Sequence, residues 1–163
     1  MATMNDPAVK ELLNGRYIAT LASAGANGTI HAVAVWYFFD GSSIFVATSS
    51  RSRKARNLQA NPSVSLMVDS RDVAASRGIT VSGKAQFLTG EASRQRNAGI
   101  HQKYLSPAAL ADPRVGPVFA GWDDVTIKIV PESVIAWDMR QADQQFFAGA
   151  FAANPGYLLP VEI

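Results

Sequence analysis

The sequence predicts a mainly β fold with short helices, in which six to seven short antiparallel strands close, or partly close, into one barrel. Three observations carry this reading. Short apolar and β-branched runs recur along the chain, bounded by turn residues. The dipeptides Asn27-Gly28 and Asp40-Gly41 lie where hairpins need residues that tolerate positive φ. Helical stretches are few and short, and they fall between apolar runs.

In chain order, residues 17–22 and 29–39 flank the Asn27-Gly28 loop, and Asp40-Gly41 turns the second strand into a third at 44–48. Ser52 can act as N-cap for a short helix running to about Ala60, where Asn61-Pro62 stops it. Leu58 is expected on the face of that helix that packs on the barrel. Residues 64–68 and 79–88 read as two further strands, separated by a polar loop from 69 to 77. Two helices follow, one from Glu91 to about Tyr104 with Thr89 as cap, and a shorter one opened by Ser106-Pro107. Strands at 125–130 and 134–137, joined at Pro131-Glu132, complete the set, and Asp123-Asp124 before them read as turn residues. The tail after Asp138 carries Phe146, Phe147, Phe151 and Tyr157, which need burial. Packing on the chain's own barrel is the plain expectation for that tail, and cover for a cofactor or a partner subunit the functional one.

Composition fits a single domain over residues 1–163: 48% of the residues are hydrophobic and 17% charged, enough for one core. No run approaches the ~18 apolar residues of a membrane helix, and the N-terminus lacks the basic and apolar regions of a secretion signal, so a cytoplasmic address and no membrane are expected. Without Cys there is no disulfide, thiolate nucleophile or sulfur-ligated metal site. The two histidines, His31 and His101, lie on different elements with no metal-ligand spacing, so no metal is expected. His101 belongs to a basic helical stretch with Arg94, Arg96 and Lys103 that reads as a solvated face. Neither a GxSxG elbow nor a nucleophile triad can be assembled, and no catalytic side chain is assigned.

The chemistry concentrates between residues 46 and 66. Arg51, Arg53, Lys54 and Arg56 put four cations into six residues, with Ser49, Ser50 and Ser52 between them and no acid before Asp69. Removing those four from the 15 Lys and Arg leaves 11 against 13 acids, so the positive excess of the chain is local. The loop delivers a helix N-terminus, where free N–H groups and the dipole favour phosphate. Arg53 adds a planar fork and Lys54 a point charge, and the hydroxyls of Thr48, Ser49 and Ser50 can complete a cage. The alternative is a solvated basic helix face.

This segment resembles the cofactor-binding segment of the pyridoxamine 5′-phosphate oxidase-like, FMN-binding split-barrel family. The likeness extends through the strand ending at Asp40, the AsnProSerValSerLeu run from Asn61 and the ValSerGlyLysAlaGlnPheLeu run from Val81, about the first 90 residues in family order. It implies a split β-barrel, with Thr48, Arg53 and Lys54, aided by Ser49, Ser50 and Arg51, at the FMN phosphate. Residues 32–37 would form the strand along the flavin, with Val33, Ala34, Val35 and Trp36 against the ring. It also implies a homodimer with the cofactor at the subunit interface and a small-molecule substrate.

The chain departs from the enzyme's own pattern. Ala32 and Tyr37 stand where pyridoxamine phosphate oxidases carry an Arg and a Lys, and Gly78 where a flavin-contacting Gln aligns. These departures argue against vitamin B6 oxidation and toward the relatives with a ValTrpTyrPhe strand, as at residues 35–38, which include flavin- and deazaflavin-dependent reductases. The function implied is a flavin-dependent oxidoreductase that binds FMN, or a deazaflavin analogue, and passes hydride to a small conjugated substrate. The rival is a non-catalytic flavin or tetrapyrrole binding or storage protein. Nucleic acid is not expected as a partner, because the cations cluster in one loop and are not spread along a groove.

Overall fold

The structure, a computed structural model, describes residues 2–72 and 76–160. Its elements run α1 (Pro7–Asn14), β1 (Ala19–Ala24), β2 (Ile30–Val35), β3 (Phe38–Phe39), β4 (Ile44–Thr48), α2 (Arg53–Ala60), β5 (Ser63–Ser70), β6 (Arg77–Leu88), α3 (Gly90–Tyr104), α4 (Pro107–Ala111), α5 (Gly116–Trp122), β7 (Val125–Asp138), α6 (Met139–Phe147) and α7 (Ala150–Ala153), with a last 3₁₀ turn at Pro155–Tyr157. Part of the polar loop expected at 69–77 lies outside the described residues.

The strands form one antiparallel sheet in the order β2-β1-β5-β6-β7-β4-β3. Its two edge strands, β2 and β3, are joined in sequence by Trp36 and Tyr37 alone. A link that short spans only about 10 Å, so the sheet must curl until its edges meet, which makes a half-barrel with a split between them. Inward-facing Leu21, Ile44, Val46, Leu66, Ile79, Val81, Ile127 and Ile129 fill the interior and are all but inaccessible.

Two strand boundaries differ from the sequence reading. The strand expected over 29–39 breaks at Trp36-Tyr37, because the Tyr37 side chain turns inward. Its hydroxyl donates to the carbonyls of Leu12 at 2.8 Å and Gly15 at 3.2 Å, while its N–H points to the Tyr104 hydroxyl at 3.4 Å. The two strands expected at 125–130 and 134–137 are one long strand, β7, paired along β6. Pro131-Glu132 is a bulge there and not a turn: the register shifts opposite Ser82 and Gly83, where a proline lacking its N–H is tolerated. Gly83 is required at that crossing, since a Cβ would lie 2.0 Å from the Val130 carbonyl oxygen.

The short helices are anchored individually. Ser52 caps α2 by accepting from the Ala55 N–H at 3.2 Å, and Ala55 and Leu58 form its buried face. Helix α3 starts beside Thr89, but without the expected side-chain cap. Its inner face is polar: Thr126 Oγ1 donates to Asn97 Oδ1 at 2.6 Å, and Asn97 Nδ2 donates to the carbonyls of Asp123 and Val125. Helix α1, which the sequence reading did not assign, has Pro7 at its start and Val9, Leu12 and Leu13 on one buried face.

Against the plain expectation, the C-terminal tail folds mainly on itself. Phe147 meets Phe151 edge-on at 5.2 Å, and the buried Asp143 carboxylate accepts from the Phe151 and Ala152 N–H groups. Phe146 and Tyr157 remain exposed.

Candidate functional site

The basic loop leaves the end of β4 and enters α2, as the cap chemistry of Ser52 requires. Thr48 Oγ1 donates to Ser52 Oγ at 3.1 Å, and Ser49 Oγ accepts from the Arg51 N–H at 3.2 Å, so these hydroxyls first shape the loop itself. Arg56 turns back, its Nη1 donating to the Arg51 carbonyl at 2.9 Å. Among the described residues, the Arg53 and Lys54 side chains form no ion pair or hydrogen bond, and the Arg53 and Lys54 amides have no acceptor, whereas the Ala55 amide donates to Ser52 Oγ. Arg53 is exposed, whereas Lys54 is half-buried. Burial holds the Lys54 amine below the usual lysine range, and the Asp123 carboxylate opposes that shift in part.

Lys54 lines a cavity of about 260 Å³ together with Ile18, Ala34, Val35, Trp36, Ala47, Ile100, Phe119 and Asp123. The cavity occupies the split: Ala34 and Val35 come from edge strand β2, and Ala47 from β4 near the opposite edge. Its lining is apolar or aromatic apart from Lys54 and Asp123. Its aromatic wall is a stack, with Trp36 lying 5.0 Å from Tyr104, nearly parallel at 2°, and 5.3 Å from Phe119. Trp122 meets Phe119 edge-on at 6.3 Å and is itself exposed.

Of the residues singled out in the sequence, Ala34, Val35, Trp36 and Lys54 meet at this cavity, with Thr48 and Arg53 in the adjoining loop. Val33 pairs with Leu21 and packs against the core. Gly78 lies elsewhere, on β6 between Asp69 and Trp137, where a Cβ would sit 2.6 Å from the Trp137 ring.

Three residues read otherwise in the sequence have specific partners here. Asp124 is not a plain turn residue, since its carboxylate accepts both the Ser50 N–H at 2.6 Å and the Ser50 hydroxyl at 2.7 Å. Those bonds hold its carboxyl below the usual carboxylate range. Asp123 accepts from His101 Nε2 at 2.7 Å, and His101 is buried rather than solvated. Two more of the basic residues on α3 are engaged as well, the Arg96 guanidinium lying 4.0 Å above the Phe45 ring and the Lys103 amine 3.9 Å above that of Tyr37, while Arg94 stays solvated as expected, paired only with exposed Glu91. Phe119, Ile100 and Ile18 carry no sequence signal as site residues, because α5, α3 and the segment before β1 meet Lys54 only through tertiary packing. No group of three or more potential metal ligands occurs among the described residues, and none of their helices is long and apolar enough to cross a membrane.

Among curated proteins, none matches this sequence. Solved structures share the fold. A conserved hypothetical protein, Rv2991 from Mycobacterium tuberculosis, is 23% identical with a TM-score of 0.71, covering 99% of this chain and 92% of its own. An F420 reductase is 22% identical with a TM-score of 0.63, covering 77% and 94% respectively. The heme storage protein HutZ from Vibrio cholerae is 22% identical with a TM-score of 0.62, covering 80% and 92%. At these identities the likeness establishes the split-barrel architecture. The sequence pattern of the pyridoxamine 5′-phosphate oxidase family spans residues 6–137, from the start of α1 to the end of β7. With that span and that fold, the chain belongs to the pyridoxamine 5′-phosphate oxidase family.

Proposed function

We propose that the protein is a flavin-dependent oxidoreductase that holds FMN, or a deazaflavin analogue, in the split of its barrel and reduces a small conjugated substrate there. The observation that carries this is the unpaired state of Arg53 and Lys54. Among the described residues, two cations without an ion pair within hydrogen-bonding reach stand at a helix start where the Arg53 and Lys54 amides are free, one of them lining a cavity whose far wall is the edge strand. A phosphate monoester fits that donor set, and the apolar lining of Ile18, Ala34, Val35 and Ile100 suits a planar ring.

A bound flavin supplies the hydride chemistry. The chain's share is to anchor and to exclude water. Arg53 and Lys54 hold the phosphate, the β2 backbone from Val33 to Val35 offers its unpaired edge to the ring, and the Trp36 stack with Tyr104 and Phe119 closes one side. Because Trp36 is already stacked with both Tyr104 and Phe119, it acts as wall rather than as a stacking platform.

A homodimer completes the reading. Ala32, Ala22, Ser65, Ser82 and Ser133 are register partners across five strands. They form a row of small uncharged residues on the outer face, flanked by exposed Ile30 and Ile135. Such a face can lie flat against a second copy and enclose the split. The rival reading, a carrier without turnover, draws support from a cavity whose ionisable lining is Lys54 and Asp123. Visible absorbance of the purified protein, followed by titration of apoprotein with FMN and with the deazaflavin coenzyme, tests the cofactor. Turnover with an artificial acceptor then separates enzyme from carrier, and no binding of either cofactor contradicts both flavin readings.

A further inference from the structure

The family pattern ends at residue 137, and beyond it lies an aromatic module built from α6, α7 and the last 3₁₀ turn. Phe147 and Phe151 meet within it, yet Phe146, Phe147 and Tyr157, with Trp137 just before it, are between 38% and 70% exposed. At roughly 200 Å² per aromatic side chain, those four leave on the order of 450 Å² in solvent, more than half of the ~800 Å² that one partner contributes to a standard interface. Among the described residues the module's charges are already engaged: Arg140 pairs with Asp138, and the buried Asp143 accepts from backbone N–H groups. An apolar partner therefore suits this surface better than a charged one.

The strand register shows where a second copy brings the module. Ala34, Thr20, Met67, Thr80 and Ile135 are register partners across β2-β1-β5-β6-β7, on the same outer face as the row of small residues read above as the contact between copies. Of these five strands β5 is the middle one, and a two-fold axis running along it in the plane of the contact reverses the strand order, so each row meets itself back to front. Exposed Ile135 of one copy then stands on exposed Ala34 of the other, large on small, at the rim of the cavity that Ala34 lines. Trp137 lies past Ala136 at the same end of the sheet at which Ile18 and Trp36 flank Ala19 and Val35, since those four strand positions share one row through Val68 and Ile79. The chain that continues from Trp137 is thereby carried over the cavity of the other copy.

We propose that the aromatic module after β7 docks on the cavity rim of a second copy of this chain, so that each cavity is closed by Trp137 and the module of the other subunit. The inference rests on the homodimer reading above and adds what covers each site. It also accounts for aromatic side chains that find too little of their own chain to bury against.

The test is disulfide trapping, which the absence of native Cys makes specific and which needs no cofactor. Ala34→Cys/Ile135→Cys and the two single variants are oxidised with diamide and run on a gel without reductant. Within one copy the two positions lie four strand spacings apart, about 19 Å along the sheet, so a bond between them has to join two copies. Most of the double variant is expected as a covalent dimer that reductant releases, and each single variant as monomer. A double variant that stays unlinked, or Ile135→Cys linking equally well alone, overturns the proposal. Should the variants fail to fold, amide exchange of the wild type decides. Residues 139–157 should exchange at least about tenfold faster once the protein is diluted from dimer to monomer, and equal rates overturn the docking. A wild type that sediments as a monomer at every concentration overturns the homodimer reading as well, an outcome distinct from a dimer in which this pair stays unlinked.

Discussion

The Nε2 of His101 lies 2.7 Å from the Oδ2 of Asp123, joining the buried face of α3 to the polar end of the cavity. His101 is only 4% exposed, so removing its partner leaves a polar ring without a hydrogen bond inside the protein. Asp123→Ala should therefore lower stability by about 1–3 kcal/mol, read from the urea midpoint. An unchanged midpoint would mean that the pair contributes nothing to the fold.

Leu58 is the buried apolar anchor of α2, 1% exposed, on the helix whose start carries the basic loop. Leu58→Ala should cost about 2–5 kcal/mol in the same assay. A near-neutral result would place the packing face of α2 elsewhere.

The Lys103 amine is brought down to about 8, by burial first and by the nearby Arg16 charge second. A lysine with a lowered folded-state pKa binds fewer protons folded than unfolded, so stability should rise with pH between about 8 and the ordinary lysine value near 10.4. The neighbouring Tyr104, pushed up to about 12, and the still higher Tyr37 act above that window and with the opposite sign. Urea midpoints across the window should climb in the wild type and lose that climb in Lys103→Met. An identical slope in both proteins would contradict the assignment.

The outer row of small residues should serve as the contact between two copies. Ala22 pairs with Ala32 on one side and Ser65 on the other, which puts it inside the row. Ala22→Arg should convert a dimeric species into a monomer in sedimentation equilibrium. A variant that stays dimeric would move the interface off this face.

Much of the fold is legible in the sequence because its signals are local. Alternating apolar residues, the Asp40-Gly41 turn and the Ser52 cap each act within a few positions, and each is found in the structure. What escapes the sequence is set by distant partners. Tyr37 leaves the strand pattern because the carbonyls ending α1 capture its hydroxyl, and Pro131-Glu132 reads as a turn because nothing local reveals Gly83 across the ladder. The candidate site divides in the same way. Lys54 and Arg53 stand out as a charge cluster, whereas Phe119, Asp123 and His101 join them only through the pairing of β4 with β7 and the packing of α3 and α5.

The central claim, a phosphate-anchored flavin cofactor in the barrel split, is tested most directly by titrating FMN and the deazaflavin coenzyme into apoprotein of the wild type and of Arg53→Ala/Lys54→Ala. Among the described residues neither side chain has an ion pair or hydrogen bond to lose, so the double variant should keep its melting curve. Its affinity should fall at least about a hundredfold, as expected for losing two charge-assisted contacts of about 1.5–3 kcal/mol each. Binding of equal strength in the two proteins, or no binding of either cofactor by the wild type, would contradict the account.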